Sequence, residues 1–205
     1  MVEKSINQVK SECLKALVGI NLSHSLADDC SNLCCNLAKL KIPFLKDLIK
    51  VLKKYEIQKI DDEAQSKDKF KYLVAPLYSL NLIEYLASKN EKWFGHVTAP
   101  NYLISAMLIY NFENQKNFML FNKENNLVFC VKDKTMYLNK KKLTDNFYFI
   151  ETKLDLSVIN KFKLDKILNF DRYIVKTSEW NELLKFSKKT YVKESKTSKE
   201  KGAGY

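Results

Sequence analysis

Two hydrophobic periods divide this chain, and no single regular element satisfies both. Over residues 5–19, Ile6, Val9, Cys13, Leu14 and Leu17 recur at helical spacing and share one face. Gly19 stands where that helix would stop. A second stripe of Leu26, Cys30, Leu33, Cys34 and Leu37 predicts a helix running to about Leu40. Ser25 is placed to cap it, with Asp28 facing the free N–H groups of its first turn. Pro43 opens a third helical stretch, PFLKDLIKVLKKY, where proline at the first turn loses no helix hydrogen bond. Beyond residue 117 the pattern changes. FMLFN, LVFCVK and TMYLN are short, rich in strand formers, and separated by Asn, Lys, Glu and Asp. They read as a meander or a pair of hairpins, with FYFIET as a further strand. The fold class that accommodates both periods is α+β: an N-terminal helical subdomain followed by an antiparallel sheet with packed helices.

Between these regions the assignments are mixed. EIQKIDDEAQSKDK, residues 56–69, is polar throughout and reads as a linker. FKYLVAPLYSLNLIEYLAS reads as strand then helix. TAPNYLISAMLIYNFEN reads as a helix opened by Thr98 or Ala99, with Pro100 in its first turn. SVINKFKLDKILNF fits neither period cleanly. RYIVK is a strand candidate, and SEWNELLKFSKKTY is a helix capped at Thr177 or Ser178. No internal repeat is visible. The expected organisation is a helical part over residues 1–55, an α+β body over 70–191, and a basic, glycine-ended tail over 192–205.

With 205 residues, 46% of them hydrophobic, the chain can bury a substantial core. Its longest apolar stretch, Tyr102 to Tyr110, is far short of a membrane span. The first ten residues, MVEKSINQVK, lack an apolar signal core, so the expected location is cytoplasmic, with no membrane partner. Five cysteines, an odd number at irregular spacing, do not form a disulfide framework.

The formal net charge is +11. Of the 35 basic residues only Arg172 is arginine; the rest are lysine. Reading base edges in a duplex groove favours the planar arginine fork, which this chain almost lacks. The expectation is therefore a lysine coat rather than a nucleic-acid surface, with a weak nucleic-acid binder as an alternative. Arg172 itself suggests a task lysine cannot perform, a bidentate contact to a carboxylate or phosphate.

Few residues invite a chemical role. Cys30, Cys34 and Cys35 lie near His24, but the spacing lacks the paired ligands of a structural zinc site. Small thiols packed at a helix interface explain them better, and no metal or cofactor is expected. His96 lies in WFGHVTAP, where Gly95 suggests a tight turn and a ligand-binding or general-base histidine beside it. Asp61, Asp62 and Glu63 read as a solvated charge run, with no calcium-loop pattern around them. The terminal Gly-Ala-Gly opens no helix and so is not a dinucleotide loop.

Three stretches together resemble a known family: SINQVKSECLKALVGINLSHSLADDCSNLCCNLAKLKIPFLKDL, VTAPNYLISAMLIY and SEWNELLKFSKKTYVKESKTSKEKGAGY. They are similar to a bacterial domain-of-unknown-function family, number 3726, over most of the chain. The resemblance implies alanine- or glycine-like packing positions at Cys30, Cys34 and Cys35. It also implies that the tail is a family feature, with Thr190, Tyr191, Val192, Ser195, Ser198, Gly202, Ala203 and Gly204 on the pattern. Lys193 and Lys199 depart from it, standing where proline and arginine are expected. The family brings no activity with it.

These readings lead to a binding or accessory protein beside a metabolic enzyme, with a protein partner or a small anionic ligand. The alternative is a small-molecule enzyme with its site between the helical part and the body. Candidate ligand-binding residues are His96, Arg172, Tyr191, Ser195, Ser198, Gly202 and Gly204; no catalytic residue is assigned. Residues 190–204 are expected to fold back near the helix that starts at Pro100 and to wall the site.

Overall fold

In the computed structural model, residues 1–57, 72–133, 135–139, 141, 143, 147–152 and 156–190 are described. The chain opens with a short strand, β1 (Val2–Ser5), that runs directly into α1 (Ile6–Val18). Ser5 closes a capping box. The Gln8 N–H donates to Ser5 Oγ at 3.2 Å, and the Ser5 N–H donates to Gln8 Oε1 at 3.1 Å. Helix α2 (His24–Lys39) is capped by Ser23, not Ser25: the Leu26 N–H donates to Ser23 Oγ at 3.4 Å. Asp28 is thereby carried past the first turn, where it accepts from Asn32 Nδ2 at 3.1 Å and pairs with Lys10. Helix α3 (Leu45–Ile57) begins two residues after Pro43, whose carbonyl accepts instead from Asn101 Nδ2 at 2.7 Å.

The strand-then-helix reading of the next segment holds: β2 (Tyr72–Val74) leads into α4 (Ala75–Lys89). Then comes β3 (Trp93–Thr98), where a tight turn at Gly95 was expected. Gly95 sits mid-strand on the buried face, flanked at period two by Trp93 and Val97. Helix α5 (Asn101–Asn114) starts after Pro100, and no side chain caps it. Thr98 Oγ1 donates to Leu73 O at 3.2 Å, and Ala99 takes a left-handed φ of 59°.

The meander follows as β4 (Phe118–Asn122), β5 (Leu127–Lys132) and β6 (Thr135–Leu138), then β7 (Phe147–Glu151). The ambiguous stretch resolves into a single helical turn, α6 (Leu156–Ile159), and a two-residue strand, β8 (Asp165–Lys166). Last come β9 (Arg172–Val175) and α7 (Thr177–Ser187). Lys176 precedes α7 without a side-chain cap, and Thr177 and Ser178 lie within the helix.

The main sheet has the order β2-β3-β7-β4-β5-β6-β8. It is antiparallel except at β2–β3, which pair in parallel because α4 crosses over between them. A second, two-stranded sheet joins β1 to β9, with Val2 opposite Val175 and Ser5 opposite Arg172. Helices α4 and α5 pack together on the inner face of the main sheet. Helix α5 is buried from Tyr102 through Leu108, as expected of a helix covered on several sides. Ser105 fastens it to α2: its hydroxyl donates to Leu33 O at 3.0 Å and accepts from Asn36 Nδ2 at 3.2 Å. Helix α7 packs on α1 and α3, and one apolar cluster runs from Ile6 through the inner sheet face to Phe186.

Candidate functional site

The outer face of the main sheet is covered unevenly. Over β4–β6, Met119, Phe121, Leu127 and Cys130 form a second apolar cluster closed by Ile159 from α6. Phe162 and Leu164, just after α6, pack against its edge. Over β3 and β7 the face carries aromatic rings instead. Strand alternation turns Trp93, Gly95 and Val97 inward and leaves Phe94, His96 and Thr98 exposed. On β7, Tyr148 and Ile150 turn inward, so Phe147, Phe149 and Glu151 face out.

The antiparallel register then sets Phe94 opposite Phe149 and His96 opposite Phe147. The rings form one connected group. Phe147 and Phe149 meet edge-on at 5.4 Å between centroids, and His96 meets Phe147 edge-on at 5.2 Å. Phe94 lies 6.3 Å from Phe147 and 6.4 Å from Phe149. One end of the strip is closed by an ion pair between Lys92 Nζ and Glu151 Oε1 at 2.6 Å. Phe94 is 67% exposed. Full burial of a phenylalanine contributes about 1.5–3 kcal/mol, and Phe94 forgoes most of it. Cross-strand aromatic contact returns only about 0.2–1 kcal/mol per pair. Three phenylalanines and a histidine at neighbouring outward positions are therefore more than sheet stability requires.

Of the residues singled out in the sequence, His96 belongs to this strip, on a strand rather than beside a turn. Arg172 lies in the other sheet, at the end of β9 next to Ser5. Its Nη1 meets Glu3 Oε2 at 3.4 Å, a single contact at the surface rather than a bidentate one. Arg172 and Lys39 line a depression of about 480 Å³ at the start of α1. Three amide donors there are already used: Ser5 and Gln8 in the capping box, and Ile6 by Asp171 O at 3.1 Å. His96 and Arg172 are thus not brought together in one sheet. Tyr191, Ser195, Ser198, Gly202 and Gly204 lie outside the described residues, as do Asp61, Asp62 and Glu63 and the expected fold-back of the tail.

A larger groove of about 640 Å³ runs between α2, α4 and α5. Asp29, Glu84 and Glu113 give it a negative lining, opposed by Lys39. Burial, then Asp28 and Glu84, push the Asp29 carboxyl above its usual value. Of the α2 thiols, Cys35 lines this groove, and the others are packed elsewhere. Cys13, Cys30 and Cys34 are fully buried, and Cys34 Sγ lies 3.6 Å from the Tyr102 hydroxyl, which donates to Phe44 O. Hydrogen bonding to Cys34, and then burial, hold the Cys13 and Cys30 thiols well above the ordinary thiol value. Among the described residues no three His, Cys, Asp or Glu side chains are grouped as metal ligands. No described helix is long and apolar enough to cross a membrane.

The sequence reading missed Phe94, Phe147 and Phe149. The signal was present in WFGH and FYFI, where aromatics occupy both parities of a short strand. Such a segment carries rings on both faces, so one face must present them to something other than the core. No family model matches the chain, and no curated protein or solved structure is found to be similar to it.

Proposed function

We propose that this protein works by binding, through the aromatic outer face of β3 and β7. The observation that carries the reading is the exposure of Phe94 within a connected group of four rings. Exposed aromatics clustered on a rigid scaffold mark recognition surfaces, because large rings contribute contact area at little conformational cost. The paired strands hold them in place: β3 is hydrogen-bonded to β2 and β7, and β7 to β3 and β4. A ligand therefore meets a preformed surface rather than ordering one.

The experiment is site-specific photo-crosslinking in cells. A photoreactive phenylalanine analogue replaces Phe94 in one strain and Ile174 in another; Ile174 is a comparably exposed control on β9. The expected result is a discrete crosslinked species from position 94 and none from position 174. Equal, diffuse labelling at both positions overturns the reading.

A further inference from the structure

We infer that the groove between α2, α4 and α5 binds a linear aliphatic diamine or polyamine, its ammonium groups held by carboxylates and amide oxygens. The groove is built by three helices and shares no residue with the aromatic face of β3 and β7. Its volume of about 640 Å³ lies within the range of small-ligand sites, about 300–1,000 Å³. Three observations select the occupant.

The first is unmatched charge. The chain has 35 basic residues against 24 acidic ones, and its carboxylates commonly find a lysine. Glu12, Asp28, Asp47, Glu56, Glu151 and Glu182 each meet one. Asp29, Glu84 and Glu113 line the groove, and among the described residues none of them is paired. Lys39 lines it too, yet pairs with no described carboxylate. Burial, then Asp28 and Glu84, hold the Asp29 carboxyl above its usual value. A cation seated here relieves a repulsion that the protein's own lysines leave standing.

The second observation is the fixed orientation of two amides. Asn32 and Asn36 follow Asp29 on α2 at helical spacing and line the groove with it. Asn36 Nδ2 donates to Ser105 O at 3.3 Å and to Ser105 Oγ at 3.2 Å. Asn32 Nδ2 donates to Asp28 Oδ2 at 3.1 Å. A carbonyl and a carboxylate can only accept, so the amino group of each amide faces them. Each Oδ1 is left as an acceptor. Carboxylates and amide oxygens together suit a ligand rich in N–H donors, which an ammonium group is.

The third observation is how the charge is spread. Among the described residues no three carboxylates are grouped closely enough to share one metal ion. Leu80 and Ile109 add apolar wall to the same groove. A methylene chain carrying ammonium groups at intervals matches dispersed carboxylates and an apolar wall; a compact metal ion does not. The net charge of +11 repels cations at long range. Physiological salt screens that repulsion beyond about 8 Å, so the local carboxylates decide.

The test is isothermal titration of the full chain at about 50 mM salt. Spermidine, putrescine, n-butylamine and magnesium chloride are separate titrants. The expected result is saturable binding that is tightest for spermidine, weaker for putrescine and weakest for n-butylamine. Asp29→Asn and Glu84→Gln each weaken spermidine binding about tenfold. Glu3→Gln, a carboxylate on β1 outside the groove, leaves it unchanged. The groove substitutions keep side-chain shape and remove like-charge repulsion, so both variants remain folded, which melting curves verify. Three results overturn the inference: no saturable binding of spermidine up to about 1 mM, unchanged affinity in the Asp29→Asn, Glu84→Gln double variant, or magnesium or n-butylamine binding as tightly as spermidine.

Discussion

Glu182 shows how much one surface residue of α7 can tie together. Its carboxylate accepts from Lys185 on its own helix and meets Lys53 of α3, each at 2.9 Å. The hydrogen bond from Lys185, then that from Lys53, holds its pKa down from 4.5 to about 2. A carboxylate with a depressed folded pKa contributes stability that is complete above pH 4.5 and is lost as pH falls toward 2. Glu182→Gln is therefore expected to melt slightly below wild type at neutral pH. The gap should close on acidification through that window and shrink in high salt, as followed by circular dichroism across pH. At this scale the sequence was legible for side-chain chemistry and poor for positions. Both Ser23 and Ser25 suit a helix cap, and only the chain path selects Ser23. Arg172 stood out by its rarity, yet rarity says nothing about a neighbour: its partner Glu3 lies at the other end of the chain.

Gly19 governs an element pair rather than a turn. It caps α1, as expected, with a right-handed φ of −63°; the left-handed residue, Asn21 at φ 63°, comes two positions later. What the position requires is the missing side chain. A Cβ at residue 19 would stand 2.5 Å from Phe186 O, a backbone atom of α7, and 3.3 Å from Lys189 Cβ. Gly19→Ala is expected to push α1 and α7 apart and to destabilise by about 1–3 kcal/mol, the cost typical of overpacking. Urea unfolding measures it, and an unchanged or raised midpoint would refute the close approach. The elements themselves were largely visible in the sequence, because long amphipathic helices and strands bounded by polar turns each leave a distinct period. Strand β3 was not. Its glycine and histidine follow two bulky aromatics, and the alternation shows only when Trp93, Gly95 and Val97 are seen to share a face. The aromatic strip was hidden for the same reason, since it needs the β3–β7 register and neither strand specifies it alone.

For the whole molecule, the single apolar cluster joining helices and inner sheet face predicts one cooperative transition. The two tryptophans sit well apart in it: Trp93 on β3 against the inner helices, Trp180 on α7 against α1. Trp93→Phe and Trp180→Phe variants each leave one reporter. Their fluorescence midpoints should coincide with loss of helical signal measured on the same variant, whereas separated midpoints would show that the two regions unfold independently. The α+β class could be read from the chain because class follows from the kinds of elements present. The partnership of β1 with β9 and of α1 with α7 could not, because pairing across such a separation leaves no mark on local pattern. That partnership also fixes an order of events during synthesis. Val18 closes α1 about 160 residues before Thr177 opens α7, an interval of roughly 10–30 s on a ribosome adding about 5–20 residues per second. Throughout that time the N-terminal strand has no partner, and the α1 surface beside Gly19 is uncovered. The newborn chain can dock its first helix on α2 early, but cannot complete that helix's packing until nearly its last has been made, and the waiting surface must be kept from competing contacts while translation proceeds.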